Sequence, residues 1–265
     1  MKTYFVDSFT NQKFKGNPAA VCILKNDLDA TVMQSIATEI GFSETAFIRQ
    51  IKNNTYSIRF FTPKIEISLC GHATLASSKI VFDTTALQSI IFVNCDNVEL
   101  KITKEDEKII MQFPVYDTKE IEVTKELLDA IGIDKTIATR YNPERKIILI
   151  EIDNSDTLAS LKPDFLALVN SYNGINGVLV TARSNHVDYD FHYRYFWPWA
   201  GTNEDPVTGG VQTFLTKYWA NKLHKNKFNT FQSSLRTGVM TTELFEDKVL
   251  IYGEAITVFE GEFIN

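Results

Sequence analysis

The chain has 265 residues, 44% of them hydrophobic and 23% charged, which suits a globular protein with a substantial core in one large or two small domains. Its formal net charge of −6 argues against nucleic acid or an anionic membrane surface as a partner. Three widely spaced cysteines, Cys22, Cys70 and Cys95, form no CxxC pair, so a reducing cytoplasm is expected. The opening MKTYFVDSFT lacks the apolar core of a signal peptide, and no membrane span is expected.

In chain order, strands are predicted over 2–6 and 18–24, joined by the turn Phe14-Lys15-Gly16-Asn17-Pro18. Asp29 is predicted to cap a helix running to Ile40, with Val32, Met33, Ile36, Ala37 and Ile40 on one face and Gly41 ending it. Strands over 42–49 and 56–61 follow, then a helix over 70–82 rich in small residues, then strands over 89–94, 97–103 and 108–113. Beyond Pro114 a polar stretch, Asp117 to Glu122, marks a boundary between domains of about 1–115 and 116–251. Short helices are predicted over 124–131 and 163–171, and strands over 136–141, 146–151, 177–182 and 187–197. Alternation puts Tyr189, Phe191, Tyr193, Tyr195, Trp197 and Trp199 on one face of the last strand, read as a sheet face packed on a helix. A helix over 205–222 and further strands complete an α+β chain.

Two stretches repeat. Arg59-Phe60-Phe61-Thr62-Pro63 matches Arg194-Tyr195-Phe196-Trp197-Pro198, and Cys70 and Asp205 each follow the proline by seven positions. A duplicated unit is expected: a strand, a short step, and a helix with glycine in its first turns. Asp205 is expected to cap the second helix, with Pro206 at its first position and Gly209 and Gly210 inside it. Two helix N-termini lined by Gly71, His72, Gly209 and Gly210 are then expected to form an anion site.

Glu44 stands in Ser43-Glu44-Thr45-Ala46-Phe47-Ile48, where alternation groups it with Phe42, Ala46 and Ile48. A carboxylate on an apolar face is expected to have a raised pKa suited to general acid or base work, unless it faces solvent. As a helix cap, Asp205 is expected to stay charged. His72 reads either as a core histidine or as a proton shuttle kept near neutral by a helix N-terminus. Cys70 reads as a buried thiol, and His186, His192 and His224 form no recognisable set. No metal-ligand spacing, phosphate loop, GxGxxG or GxSxG is present, so no metal, nucleotide or serine-hydrolase chemistry is expected.

The segments Phe14-Lys15-Gly16-Asn17-Pro18-Ala19-Ala20-Val21, Ser43-Glu44-Thr45-Ala46-Phe47, Leu69-Cys70-Gly71-His72-Ala73-Thr74-Leu75-Ala76 and Glu204-Asp205-Pro206-Val207-Thr208-Gly209 resemble, in order, the motifs of the PhzF-like phenazine-biosynthesis isomerase family. The closing Gly253-Glu254-Ala255-Ile256-Thr257-Val258 is similar as well. The resemblance implies a diaminopimelate-epimerase-like fold of two pseudo-symmetric halves, each a sheet curled around a central helix, with the site in the cleft between. It implies that about 252–265 completes the first half. It also implies cofactor-free proton transfer on a small carboxylate-bearing substrate, and a homodimer. Glu44, His72 and Asp205 then take the catalytic positions, and Asn17, Gly71, Thr74, Gly209 and Gly210 the substrate-binding ones. Gly210 stands where the family often has serine, and Phe231 to Gly238 departs from the family's glycine- and arginine-rich segment. Alternatives are an amino-acid racemase or epimerase of the same fold, which normally uses a pair of thiols, and a non-catalytic small-molecule binder.

Overall fold

Runs of β-branched and aromatic residues become strands, and the capped amphipathic runs become helices, in a computed structural model that describes residues 1–200 and 202–264. The first half runs β1 (Lys2–Ser8), β2 (Asn17–Ile23), α1 (Ala30–Ile40), β3 (Glu44–Lys52), β4 (Thr55–Phe61), β5 (Glu66–Ile67), α2 (Gly71–Thr84), β6 (Ser89–Val93), β7 (Glu99–Glu105) and β8 (Lys108–Pro114). The second half runs β9 (Lys119–Glu120), α3 (Lys125–Ile131), β10 (Ala138–Asn142), β11 (Ile147–Ile152), α4 (Ser155–Ser160) and α5 (Phe165–Ser171), then β12 (Gly177–Arg183), β13 (Phe191–Trp197), β14 (Thr202–Glu204), α6 (Gln212–Leu223), β15 (Lys227–Gln232) and β16 (Gly238–Phe245). The chain ends with β17 (Lys248–Gly253) and β18 (Ala255–Glu262). Two units result: Met1–Phe113 with Leu250–Asn265, and Pro114–Val249.

The strand pairings of the first unit recur in the second. β1 pairs antiparallel with β2, as β10 does with β11. β2 lies parallel to β3, as β11 does to β12, each across a helical crossover. β3 pairs antiparallel with β4, and β12 with β13. β4 then takes β5 antiparallel and β6 parallel, while β13 takes β14 antiparallel and β15 parallel. The repeated arginines do the same work in both units. Arg59 is bidentate on Glu66 at 2.7 and 2.7 Å, tying β4 to β5. Arg194 is bidentate on Glu204 at 2.7 and 2.8 Å, tying β13 to β14.

In the first unit, Asp29 Oδ1 accepts the Thr31 N–H at 2.8 Å and Gly41 closes α1 at φ +71°. Met33 and Ala37 of this helix pack on Cys22, Phe47 and Phe61. α2 is buried along most of its length, against β1, β2, β3 and β18, and its alanines and serines permit that close approach. In the second unit, α3, α4 and α5 contribute Leu127, Ile131, Leu158 and Leu168 to a core shared with Ile148, Ile150, Val178, Val180 and Phe196.

Several sequence expectations are corrected. The second central helix begins at Gln212, not at 205, so Asp205 to Gly210 form a loop ahead of it. The aromatic face of β13 is shorter than alternation suggests. Phe191 stacks on Trp219 of α6 at 5.3 Å, but Tyr189 precedes the strand. Trp199 lies in a 3₁₀ turn and packs on the opposite core, beside Phe196, donating to Tyr172 O. Strand 187–197 therefore starts at Phe191, where both faces become buried. The helix α4, capped by Asn154 through the Asp156 and Thr157 N–H groups, is too short to carry a periodic signal.

Candidate active site

Within the first unit, the β1–β2 connection sets up Asn17. Asp7 Oδ2 accepts the Phe14 N–H at 2.6 Å, and Gly16 turns the chain at φ +66°. A Cβ on Gly16 would lie 2.1 Å from Ser8 O, so only glycine fits there. Ser8 Oγ donates to the His72 carbonyl at 2.7 Å, pinning the start of α2 to the end of β1. Cys70 is the extended residue before α2, with φ −140°, and Gly71 opens the helix. The parallel pairing of β2 with β3 places Glu44 beside Ala19.

These elements bring Glu44, His72, Cys70 and Asn17 together. His72 Nε2 lies 3.1 Å from Glu44 Oε2, and Asn17 Nδ2 lies 3.1 Å from His72 Nδ1. Cys70 Sγ lies 3.4 Å from Nδ1 and 3.9 Å from Nε2. Glu44, His72 and Cys70 are 4%, 6% and 8% exposed, and Asn17 is fully buried. The Asn17 amide faces Nδ1 and the Glu44 carboxylate faces Nε2, so a charged ring donates to Glu44 on one side and, once the amide presents its oxygen, to Asn17 on the other.

The electrostatics overturn the sequence expectation for both groups. Burial is the largest influence on Glu44 and pushes its pKa up, but the charge and contact of His72 outweigh it, and the net shift is downward from 4.5. Burial alone would lower His72, yet the charges facing it carry its pKa well above 6.5. Of these we take Glu44 as the main cause, because burial pushes the Cys70 thiol up and keeps it neutral. The pair is therefore carboxylate and imidazolium, instead of a raised acid beside a neutral ring. Alternation misleads at Glu44 because β3 is buried on both faces from Glu44 to Ile48, and Phe42 lies outside the strand.

Thr74 is buried and its O–H donates to Cys70 O at 2.7 Å, inside the helix. Asn17 holds the His72 ring. The sequence reading missed Cys70 as a neighbour of Glu44, a proximity no spacing rule encodes.

In the second unit, Asp205 is buried and its Oδ2 accepts the Thr208 hydroxyl, closing a short loop. It is not a helix cap: Val211 holds the N-cap position of α6, with no side-chain cap bond. Gln232, fully buried, clamps that loop by accepting the Thr208 N–H at 2.7 Å and donating to Asp205 O at 2.6 Å. Gly209 and Gly210 lie in the turn before α6, where their carbonyls accept from Gln212 N–H and Thr213 Oγ1 at 3.0 and 2.8 Å. The expected glycine-lined helix start is thus present at Gly71 but not at Gly209 and Gly210. The histidines of this unit are also less scattered than the sequence suggests. His192 stacks on His186 at 5.5 Å and lies 3.2 Å from both Ser184 Oγ and Ser233 Oγ, with burial lowering its pKa to about 4.

Comparison with known proteins places these residues in context. The family model described as phenazine biosynthesis-like protein matches residues 6–261. An uncharacterised isomerase of Halalkalibacterium halodurans is 42% identical, over 98% of this chain and 97% of its own. The crystal structure of a PhzF-family phenazine biosynthesis protein from Enterococcus faecalis superposes with a TM-score of 0.93 at 35% identity, covering 100% of this chain and 99% of that one. A predicted epimerase from Pseudomonas aeruginosa shares the fold, with a TM-score of 0.75 at 16% identity over 100% of this chain and 99% of its own. The fold is thus the diaminopimelate-epimerase-like one, and the chain belongs to the PhzF phenazine biosynthesis-like family.

Proposed function

We propose that this chain is a PhzF-like isomerase that moves a proton, by acid–base catalysis without a cofactor, on a small carboxylate-bearing substrate. The observation that carries this reading is the buried Glu44–His72 contact at 3.1 Å. The imidazolium keeps Glu44 ionised, so the carboxylate is ready to accept a carbon-bound proton. As Glu44 takes the proton, the C–H electron pair stays on the substrate and shifts its double bond. The proton then returns to a different carbon, leaving an isomer and the starting enzyme. The His72 charge, held in a site of low polarity, stabilises the negative charge that builds on the substrate. Asn17 and the Ser8–His72 contact fix the ring for this work. Asp205 acts as the second acid on the strength of the motif it occupies, and Gly71, at the start of α2, offers its backbone N–H to the substrate carboxylate.

The test is a screen of dihydroaromatic carboxylic acids and amino acids for deuterium uptake from D₂O. A substrate that exchanges is then given to Glu44→Gln, which keeps the shape and removes the titrating group. The rate is expected to fall by ~10²–10⁴-fold. Wild-type turnover by Glu44→Gln would refute the mechanism, and exchange confined to amino-acid α-protons would favour a racemase instead.

A further inference from the structure

Asp205 owes its orientation to a neighbour that plays no part in the reading above. Its backbone is tied down twice: the N–H donates to Tyr195 O of β13 at 3.1 Å, and the carbonyl accepts from Gln232 of β15 at 2.6 Å. A fixed backbone does not by itself fix a side chain, which still has several staggered rotamers open to it. The Thr208 hydroxyl reaches the carboxylate itself, donating to Oδ2 at 2.5 Å. In the usual turn that opens on aspartate, the carboxylate accepts a nearby backbone N–H. Here the Thr208 N–H goes to Gln232 Oε1 at 2.7 Å, and it is the hydroxyl that holds Asp205. The Thr208 carbonyl is held as well, accepting from the Tyr193 O–H at 3.3 Å. Gln232 and Tyr193 are both fully buried and are register partners across the β13–β15 pair. Burying an amide and a phenol is costly unless each is hydrogen-bonded. Both are turned to the peptide groups of one half-buried threonine, so the Thr208 hydroxyl is presented from a braced backbone.

We propose that Thr208 is a positioning residue for the isomerisation: its hydroxyl holds Asp205 Oδ2 and so sets the direction in which that carboxyl group meets the substrate. The proposal rests on the isomerase reading above, in which Asp205 is the second acid. Thr208 neither gives nor takes the transferred proton. It acts through Asp205 alone, and Gln232 and Tyr193 act through Thr208 by fixing its peptide groups.

The experiment compares the full chain with Thr208→Val, Thr208→Ser, Asp205→Asn and the double variant Asp205→Asn/Thr208→Val, on a substrate found by deuterium uptake. Valine keeps the shape of threonine and removes the hydroxyl, so kcat is expected to fall by about 10²-fold, the cost of a misplaced reacting group, with little change in KM. Thr208→Ser keeps the hydroxyl and should restore most of that loss. In the Asp205→Asn background Thr208→Val should cost nothing further, because the residue through which it acts is already gone. A merely structural threonine would cost the same in both backgrounds, and urea unfolding of each variant measures that contribution. Wild-type kcat in Thr208→Val, an equal loss in both backgrounds, or no rescue by serine overturns the positioning role and leaves the isomerase reading standing. Wild-type turnover by Asp205→Asn instead removes Asp205 from that reading, and the positioning role with it. A crystal structure of Thr208→Val supplies a readout that needs no substrate. The Asp205 side chain should leave the rotamer it holds in the wild type, and an unchanged rotamer overturns the proposal.

Discussion

Glu44 and His72 can be separated energetically by a double-mutant cycle built from Glu44→Gln, His72→Gln and the double variant. Opposite unit charges 3.1 Å apart attract by about 5 kcal/mol at an effective dielectric of ~20. Burying both ions costs several kcal/mol each, so the pair as a whole adds little net stability. Removing one partner is different, because it strands the other: the cost is about 3–5 kcal/mol, at the low end for Glu44→Gln since His72 can shed its proton. The double variant should be less destabilised than the sum of the single ones, with a coupling of about 2–3 kcal/mol. The pH dependence follows from the shifts. Glu44 is lowered from 4.5, so its contribution is present above that pH and is lost as pH falls through the folded value. His72 is raised from 6.5, so its contribution is full below that pH and is lost as pH rises through the folded value. The coupling is therefore greatest between pH 4.5 and 6.5. Urea unfolding of the four proteins at about pH 5.5 and about pH 9 measures it. A coupling below ~0.5 kcal/mol at the lower pH, or one equal at both, would refute the ion-pair assignment.

Two further predictions concern the Asp205 loop. Gln232→Leu removes both clamps, leaving the Thr208 N–H and the Asp205 carbonyl without this partner, and should destabilise the second unit by about 2–4 kcal/mol in chemical denaturation; a change under ~0.5 kcal/mol would mean that the loop holds itself. A Cβ on Gly210 meets no atom within 4 Å, so Gly210→Ser should shift stability by no more than ~0.5 kcal/mol. If a substrate carboxylate lies there, that serine should lower KM with little change in kcat, whereas a rise in KM would show that the glycine serves close approach.

What was legible in the sequence divides by the range of the interactions involved. Helix α1 could be read because Asp29 and Gly41 act on neighbouring backbone. The duplication could be read because the arginines, aromatics and prolines recur at equal spacing. Their acid partners could not, since Glu66 lies seven residues past Arg59 and Glu204 lies ten past Arg194. Asp205-Pro206 has the composition of a helix start, and a cap is a local device. Here the Thr208 N–H goes instead to Gln232, 24 residues away, and the helix begins only at Gln212. A long-range amide overrode a local signal. The chemistry of Glu44 divides the same way. Its burial, 4% exposed, was within reach of an apolar context in the sequence, and burial alone raises a carboxyl pKa. Its charge state was not, because a partner 3.1 Å away on α2 reverses the sign of the shift. A motif therefore names the acid, but the fold decides whether that acid waits as a donor or as a base. In this chain the His72 ring favours the carboxylate form.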